Sequence, residues 1–522
     1  MLVAVLMLVA SVSAFAESDA DVTQNTPDNT NVTDVARYDA TAGTANLKLD
    51  GSLKITKLEK DDEIALYKIV GWDDTNGWSF TDAYKTAATG YDPDAIMTAI
   101  KAGNVTYDTA SAWAGMAAND TALTINPAKA DASGEWTITN TEPGLYMALV
   151  TAKTAGVIYN PIILGNDYYK NDSSWITLAD NGLSYGGEAV AKKQKIELTK
   201  DSPTIVETPV GSDATFEINT TIPKYPANYT KLTFDLYDLL SAGLALKADT
   251  IEVYAGENAE GTKLTSEQYT LDTTAVANSY TYKISFKEAY IRGLAAAQKI
   301  YVTYKATITG EVPQNVNPEN NTVTLHYTNA PTDSTGSGRL KDRTNHYTFD
   351  IDGELLGPET WKTTEVVKVG LDKDGNEITE TKEIHSGMTV GALQGAKFTV
   401  EKKNGEGNFA AYTNGKISDA TNILSDADGR ITLKGLAADI EITDSSLAEG
   451  QYHYQGVYKI TETEAPAGYV KDPTPRYIII DVITEDKNVT ETVDSNEVTY
   501  AVETLKSYTV KVGASEAAAV QT

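Results

Sequence analysis

Between Ala214 and Ile222 every second residue (Ala214, Phe216, Ile218, Thr220, Ile222) is apolar or β-branched, and the residues between them are mostly polar. A period of two puts one row of side chains on a single face of an extended strand and spreads it around a helix, so this stretch can bury its apolar row only as a strand. The same signature recurs in Leu53-Lys54-Ile55-Thr56, in Tyr301-Val302-Thr303-Tyr304 and in Tyr477-Ile478-Ile479-Ile480-Asp481-Val482, with Gly, Asn and Asp turns between such runs. Thr, Val and Tyr (30 of the last) are the residues that pack well on a pleated surface. Helical signals are few. The clearest is Asp92 to Ile100, where Asp92 suits an N-cap and Pro93 the first turn. The pattern predicts an all-β chain of sandwich-like domains with small helical insertions. At 522 residues it exceeds one hydrophobic core, so about three domains are expected.

Charge narrows the function classes. With 43 basic against 73 acidic residues the formal charge is −30, which repels phosphate backbones and anionic lipid. Nucleic acid and membrane surfaces are therefore poor partners. The four histidines, His326, His346, His385 and His453, fall in no metal-ligand spacing, and there is no cysteine. Zinc ribbons, thiol catalysis, iron–sulfur clusters and disulfides are excluded together, and neither metal nor cofactor is expected. Asp372-Lys373-Asp374-Gly375-Asn376 has its glycine too early for a calcium loop and reads as a hairpin turn.

Residues 1–16, MLVAVLMLVASVSAFA, form an apolar run ending in Ala14-Phe15-Ala16, the pattern of a secretory signal cleaved after Ala16. The run lacks a basic beginning, so the start codon is expected upstream. Residues 17–46 are polar, aperiodic and expected to be a disordered leader. Gly186-Gly187 with the following Lys-rich stretch, and the linker from Ala330 to Gly338, divide the rest into 47–194, 195–345 and 346–522. A weak repeat relates the first and last blocks: Gly144-Leu145-Tyr146 aligns with Gly456-Val457-Tyr458, which sets Val150 where the last block has Glu462. An exported chain without disulfides needs another means of holding its strands together.

The most specific segment runs Tyr458-Lys459-Ile460-Thr461-Glu462-Thr463-Glu464-Ala465-Pro466-Ala467-Gly468-Tyr469. In a strand, Tyr458, Ile460 and Glu462 share a face, which sets a carboxylate on an apolar row. The alternation equally allows an ordinary edge strand with Glu462 at its solvent end. The string as a whole resembles the E-box of collagen-adhesin B-type domains in the sortase-assembled major pilins of Gram-positive bacteria, with Ile460 in place of Leu. Gly395-Ala396-Lys397-Phe398-Thr399-Val400 is similar to that family's upstream strand. Residues 195–345 resemble the fimbrial isopeptide domain of the same pilins. The matching segments are Leu198-Thr199-Lys200, Val210-Gly211 through Ile222-Pro223, Phe234 through Leu244, and Asn321 through Asn329.

The resemblance implies tandem immunoglobulin-like β-sandwiches that crosslink themselves: a lysine amine displaces ammonia from an asparagine, promoted by a buried acid. It assigns Lys200 as amine, Asp238 as acid and Asn329, with Asn321 as the alternative, as acceptor. In the last block it assigns Glu462 as acid and Lys368 as amine, and with Val150 in the acid's place no crosslink is expected in the first. Burial is what would make the pair reactive, lowering the lysine's pKa and raising the acid's. Closing a loop of about 130 residues would stabilise by about 5 kcal/mol on the disulfide scale. The resemblance further implies a shaft subunit joined to copies of itself by a sortase, with minor pilins and host surface ligands as further partners and a role in adhesion. Lys192, or alternatively Lys193, stands where the family has the lysine that links subunits, although the family's Tyr-Pro before it is absent. The family's C-terminal sorting signal is also absent after Ala517–Thr522, so a truncated sequence is expected. A wall-anchored or tip adhesin is the alternative. No paired constellation for catalysis on other molecules is present, so an enzyme is not expected.

Overall fold

The computed structural model describes residues 52–521 apart from 74–76, 86–91, 140, 167, 172–173, 178–184, 204, 275, 277–279, 310–317, 352–381, 386–387, 391–393, 427–428 and 467–468. Residues 1–16 and 17–46, expected to be a signal and a leader, together with Lys368 and the stretch from Asp372 to Asn376, lie outside the described residues. The chain is mostly β, its sheets forming tandem β-sandwich domains.

In the first group of sheets, Gly77–Phe80, Glu63–Asp73, Gly144–Thr151 and Ile162–Asn166 form an antiparallel sheet in that order. A second sheet sets Leu53–Thr56 between Glu188–Val190, in parallel, and Trp136–Ile138. Leu53, Ile55, Trp136, Tyr146 and Leu164 fill the space between the sheets. The strand Gly144–Thr151 is apolar almost throughout because its other face is covered too. There the helices Pro93–Ala102 and Tyr107–Met116 contribute Ile100 and Trp113 to a core with Leu145, Met147 and Ile163. The first helix starts where its sequence predicts: the Asp92 carboxylate accepts from the Asp94 and Ala95 amides at 3.1 and 3.3 Å.

The second group is a pair of five-stranded antiparallel sheets. One runs Leu198–Asp201, Asp213–Ile222, Gln298–Ile308, Leu244–Ala255 and Thr262–Lys263. The other runs Tyr269–Asp272, Tyr282–Phe286, Phe234–Leu240, Glu319–Tyr327 and Gly338–His346. The alternation from Ala214 to Ile222 turns its even-numbered row inward, against Phe234, Leu236, Ile284, Val302 and Leu325.

The third group centres on an eight-stranded sheet whose main path is Phe409–Ala411, Lys397–Lys403, Gln451–Glu464, Arg476–Val493, Asn496–Gly513 and Val520–Gln521. Its core joins Phe398, Val400, Tyr458, Ile460, Ile478 and Ile480. Ile205 and Val206, from the loop after the second group's first strand, belong to this core as well.

Candidate crosslinking site

One polar cluster interrupts the apolar interior of the second group. Alternation dictates each member. Lys200 is the buried position of Leu198–Asp201, and Asp238 shares the inward row of Phe234, Leu236 and Leu240. Tyr304 sits inward with Val302 and Ala306, and Asn321 with Val323, Leu325 and Tyr327. Tyr282 opens its own strand opposite Asp238. The strands of Lys200 and Tyr304 belong to one sheet and those of Asp238, Tyr282 and Asn321 to the other, so the cluster bridges the sandwich. Lys200 and Asn321 thus face each other from different sheets.

The side chains of Lys200 and Asp238 are fully buried and joined by a short hydrogen bond between Nζ and Oδ2. Lys200 Nζ also bonds the Tyr304 hydroxyl at 2.7 Å. That hydroxyl donates to Asp238, 3.2 and 3.1 Å from its two oxygens, and accepts from Asn321 Nδ2 at 2.7 Å. The Tyr282 hydroxyl donates to Asp238 Oδ2 at 3.2 Å. Asn321 Oδ1 has no hydrogen-bond partner among the described residues. The Phe216 and Tyr304 rings stack at 5.3 Å and flank the amine, 5.7 and 5.2 Å from their centroids.

Burial decides the protonation states. It pushes the Lys200 amine below its ordinary pKa although Asp238 and Asp342 pull the other way. It pushes the Asp238 carboxyl up against the pull of Lys200 and both tyrosines. Both directions favour a neutral amine beside a protonated acid, the pair needed for attack on an amide. Tyr282 and Tyr304 are driven well above the usual phenol range by burial, so their hydroxyls keep their protons.

Asn329, preferred over Asn321 on sequence, is placed elsewhere. The strand ends at Tyr327, and Asn329 lies in the turn that follows. Its amide donates to Asp333 Oδ2 at 3.3 Å and its Oδ1 accepts from Ser337 Oγ at 3.3 Å. It is Asn321 that sits in the cluster.

Glu462 is buried with Tyr458 and Ile460 on the inward row of its strand, opposite Phe398, rather than at a solvent end. Its Oε2 accepts from the Asp472 amide at 2.8 Å. The amine expected for it, Lys368, is outside the described residues. Val150 is buried in the first group. Lys192 is half-buried, with its carbonyl accepting from Asn160 N at 3.1 Å, and Lys193 is ion-paired with Glu59. The stretch around them is docked rather than a solvated linker. Between them and the second group, buried Gln194 donates to Asn160 Oδ1 at 2.7 Å and Lys224 O at 2.9 Å, and accepts from Lys224 N at 2.8 Å.

Four participants went unrecognised in the sequence: Tyr282, Tyr304, Gln194 and Asp342. Asp342, pushed up to about 7 by burial, accepts from the Lys200 amide at 2.6 Å and so pins the lysine's strand across the sandwich. Only parity on an alternating strand could have flagged them. Among the described residues no group of three or more His, Cys, Asp or Glu could hold a metal ion.

Comparison with known proteins adds a family model, "SpaA: Prealbumin-like fold domain", which matches residues 382–498. No curated protein sequence matches the chain. Among solved structures it is similar to the T6 backbone pilin of serotype M6 Streptococcus pyogenes, at 18% identity and TM-score 0.47 over 85% of each chain. It is also similar to the major pilin SpaD of Corynebacterium diphtheriae, at 16% identity and TM-score 0.47 over 83% of this chain and 92% of that one. For the major pilin SpaA of the same organism the values are 17% and 0.40, over 86% and 98%.

Proposed function

We propose that the chain is the structural shaft subunit of a covalently polymerised pilus on a Gram-positive surface, exported by its N-terminal signal and stiffened by a self-made Lys200–Asn321 amide. The observation that carries this reading is the cluster in which a buried amine, a buried acid and a buried carboxamide are linked through one hydroxyl. In solution neither partner would react. The lysine would be protonated and ammonia is a poor leaving group. Burial and fixed geometry remove both obstacles. The reaction runs once, on the protein itself, and leaves an amide across the two sheets. A loop of about 120 residues is closed, worth about 5 kcal/mol on the disulfide scale, and the sheets cannot part under tension. The E-box string, with Glu462 buried as that motif requires, supports a second site of the same kind using Lys368.

Polymerisation would use Lys192, or Lys193, as the amine that a sortase joins to the next copy. The test is a blot of surface extracts boiled in detergent from cells carrying the sortase and the chain with a C-terminal sorting signal in place. A ladder of subunit multiples that is lost in Lys192→Ala or Lys193→Ala is the expected result. A single monomer band from the unaltered chain would leave a monomeric surface adhesin as the better account.

A further inference from the structure

We infer that the Tyr304 hydroxyl delivers the proton to the departing nitrogen in the crosslinking step, an inference that rests on the reaction proposed above. Asp238 bonds the amine and both tyrosines, but the hydrogen bond of the Asn321 nitrogen goes to Tyr304. The acid therefore reaches the leaving group only through that hydroxyl. Tyr282 offers a contrast in the same cluster, because its hydroxyl bonds Asp238 and neither reacting nitrogen.

The chemistry balances within the four side chains. Neutral Nζ of Lys200 attacks Cγ of Asn321, whose carbonyl π pair moves to oxygen. An amide nitrogen has no free lone pair and can only donate, as Asn321 Nδ2 does at 2.7 Å. Once the carbon is tetrahedral, that nitrogen is an amine with a lone pair, and the same contact reverses direction. Tyr304 then gives its proton to Nδ2 while taking one from Asp238, and the resulting carboxylate takes a proton from Nζ. The Cγ–Nδ2 bond breaks, ammonia leaves, and the carbonyl re-forms. Tyr304 and Asp238 finish as they began, and one proton has moved from Nζ to Nδ2. A phenol held well above its ordinary pKa suits this concerted hand-over, since it never has to exist as a phenolate.

The test follows the full chain during cell-free synthesis, with intact mass and peptide mapping at successive times. The unaltered chain should lose one ammonia at the Lys200–Asn321 junction. Tyr304→Phe, which keeps the ring stacked on Phe216, should slow that loss on the order of a hundredfold. Tyr282→Phe should stay within a few-fold of the unaltered rate. Equal rates for Tyr304→Phe and the unaltered chain would overturn the role of Tyr304 while leaving the crosslink standing. No ammonia loss from the unaltered chain would overturn both. Should protease resistance show that Tyr304→Phe does not fold, a fluorinated tyrosine placed at 304 alone keeps the shape and changes only the acidity. A changed rate there supports the inference and an unchanged one overturns it.

Discussion

Lys200 and Asp238 each sit at a position where strand parity demands an apolar side chain, and each is tolerated only because the other is there. Removing the acid would leave a buried amine with too little compensation. Asp238→Ala should therefore keep its ammonia and, with the crosslink unmade, lose about 5 kcal/mol of stability, read by intact mass and urea unfolding. A second buried group sets a pH dependence. His346 packs edge-on against Phe216, neither ring nitrogen has a hydrogen-bond partner among the described residues, and burial pushes its pKa down to about 4. Its unfolded value is near 6.5, so between 6.5 and 4 the unfolded chain binds the extra proton and the folded one does not. Stability contributed by the neutral ring is present above 6.5 and is lost as pH falls towards 4, by about 3 kcal/mol at most. His346→Phe should flatten that loss in urea midpoints compared at pH 7 and pH 4.5, and an unchanged slope would contradict it. Asp342, pushed up to about 7, works with the opposite sign and is left in place by this substitution. At this scale the amine and acid were legible because each carried a motif around it. Tyr304 was not, being one of 30 tyrosines on a strand whose alternation looks like any other.

Elements explain the choice between the two asparagines. Asn321 and Asn329 have the same parity, so alternation puts both on the inward face. What separates them is where the strand stops, after Tyr327, and strand ends are set by turn contacts such as those of Asp333 that periodicity does not encode. The Ser-x-Gly segment after the acid's strand has a similar non-local cause. Buried Glu319 accepts from the Gly243 amide at 2.8 Å and from the Ser241 hydroxyl, and a Cβ at 243 would run into its carboxylate. The longest hairpin, Arg476–Val493 with Asn496–Gly513, turns through Asp494 and Ser495 at φ of 45° and 72°. That left-handed geometry favours glycine and asparagine. Ser495→Gly should stabilise the hairpin by about 1 kcal/mol, visible as slower amide exchange at its tip, and faster exchange would contradict the assignment. Asp494 is best left alone, since it holds Arg339 at 2.9 Å.

Across the whole molecule the second and third groups of sheets exchange parts. The hairpin lies along Gly338–His346, an edge that would otherwise offer unpaired backbone to other chains, through Lys341–Glu491, Arg339–Asp494 and Asn345 Nδ2 to Glu503 O at 2.8 Å. In return Ile205 and Val206 enter the third group's core, with Ile205 O accepting from Tyr347 N at 2.7 Å and Val206 O from Ala438 N at 2.8 Å. Val206→Ala should cost about 2 kcal/mol. The loss should appear in the melting of the third group rather than of the second, from whose first strand the loop departs. The all-β class was readable from the period of two. This exchange was not, because it depends on loops whose burial is decided by a neighbour rather than by their own pattern. All of it bears on one covalent claim. Intact mass of the chain expressed from Glu17, followed by peptide mapping, tests that claim most directly. The account predicts a deficit of one ammonia for the second group, with the Lys200 peptide joined to that of Asn321. Full mass there, or a bond to Asn329, would contradict it.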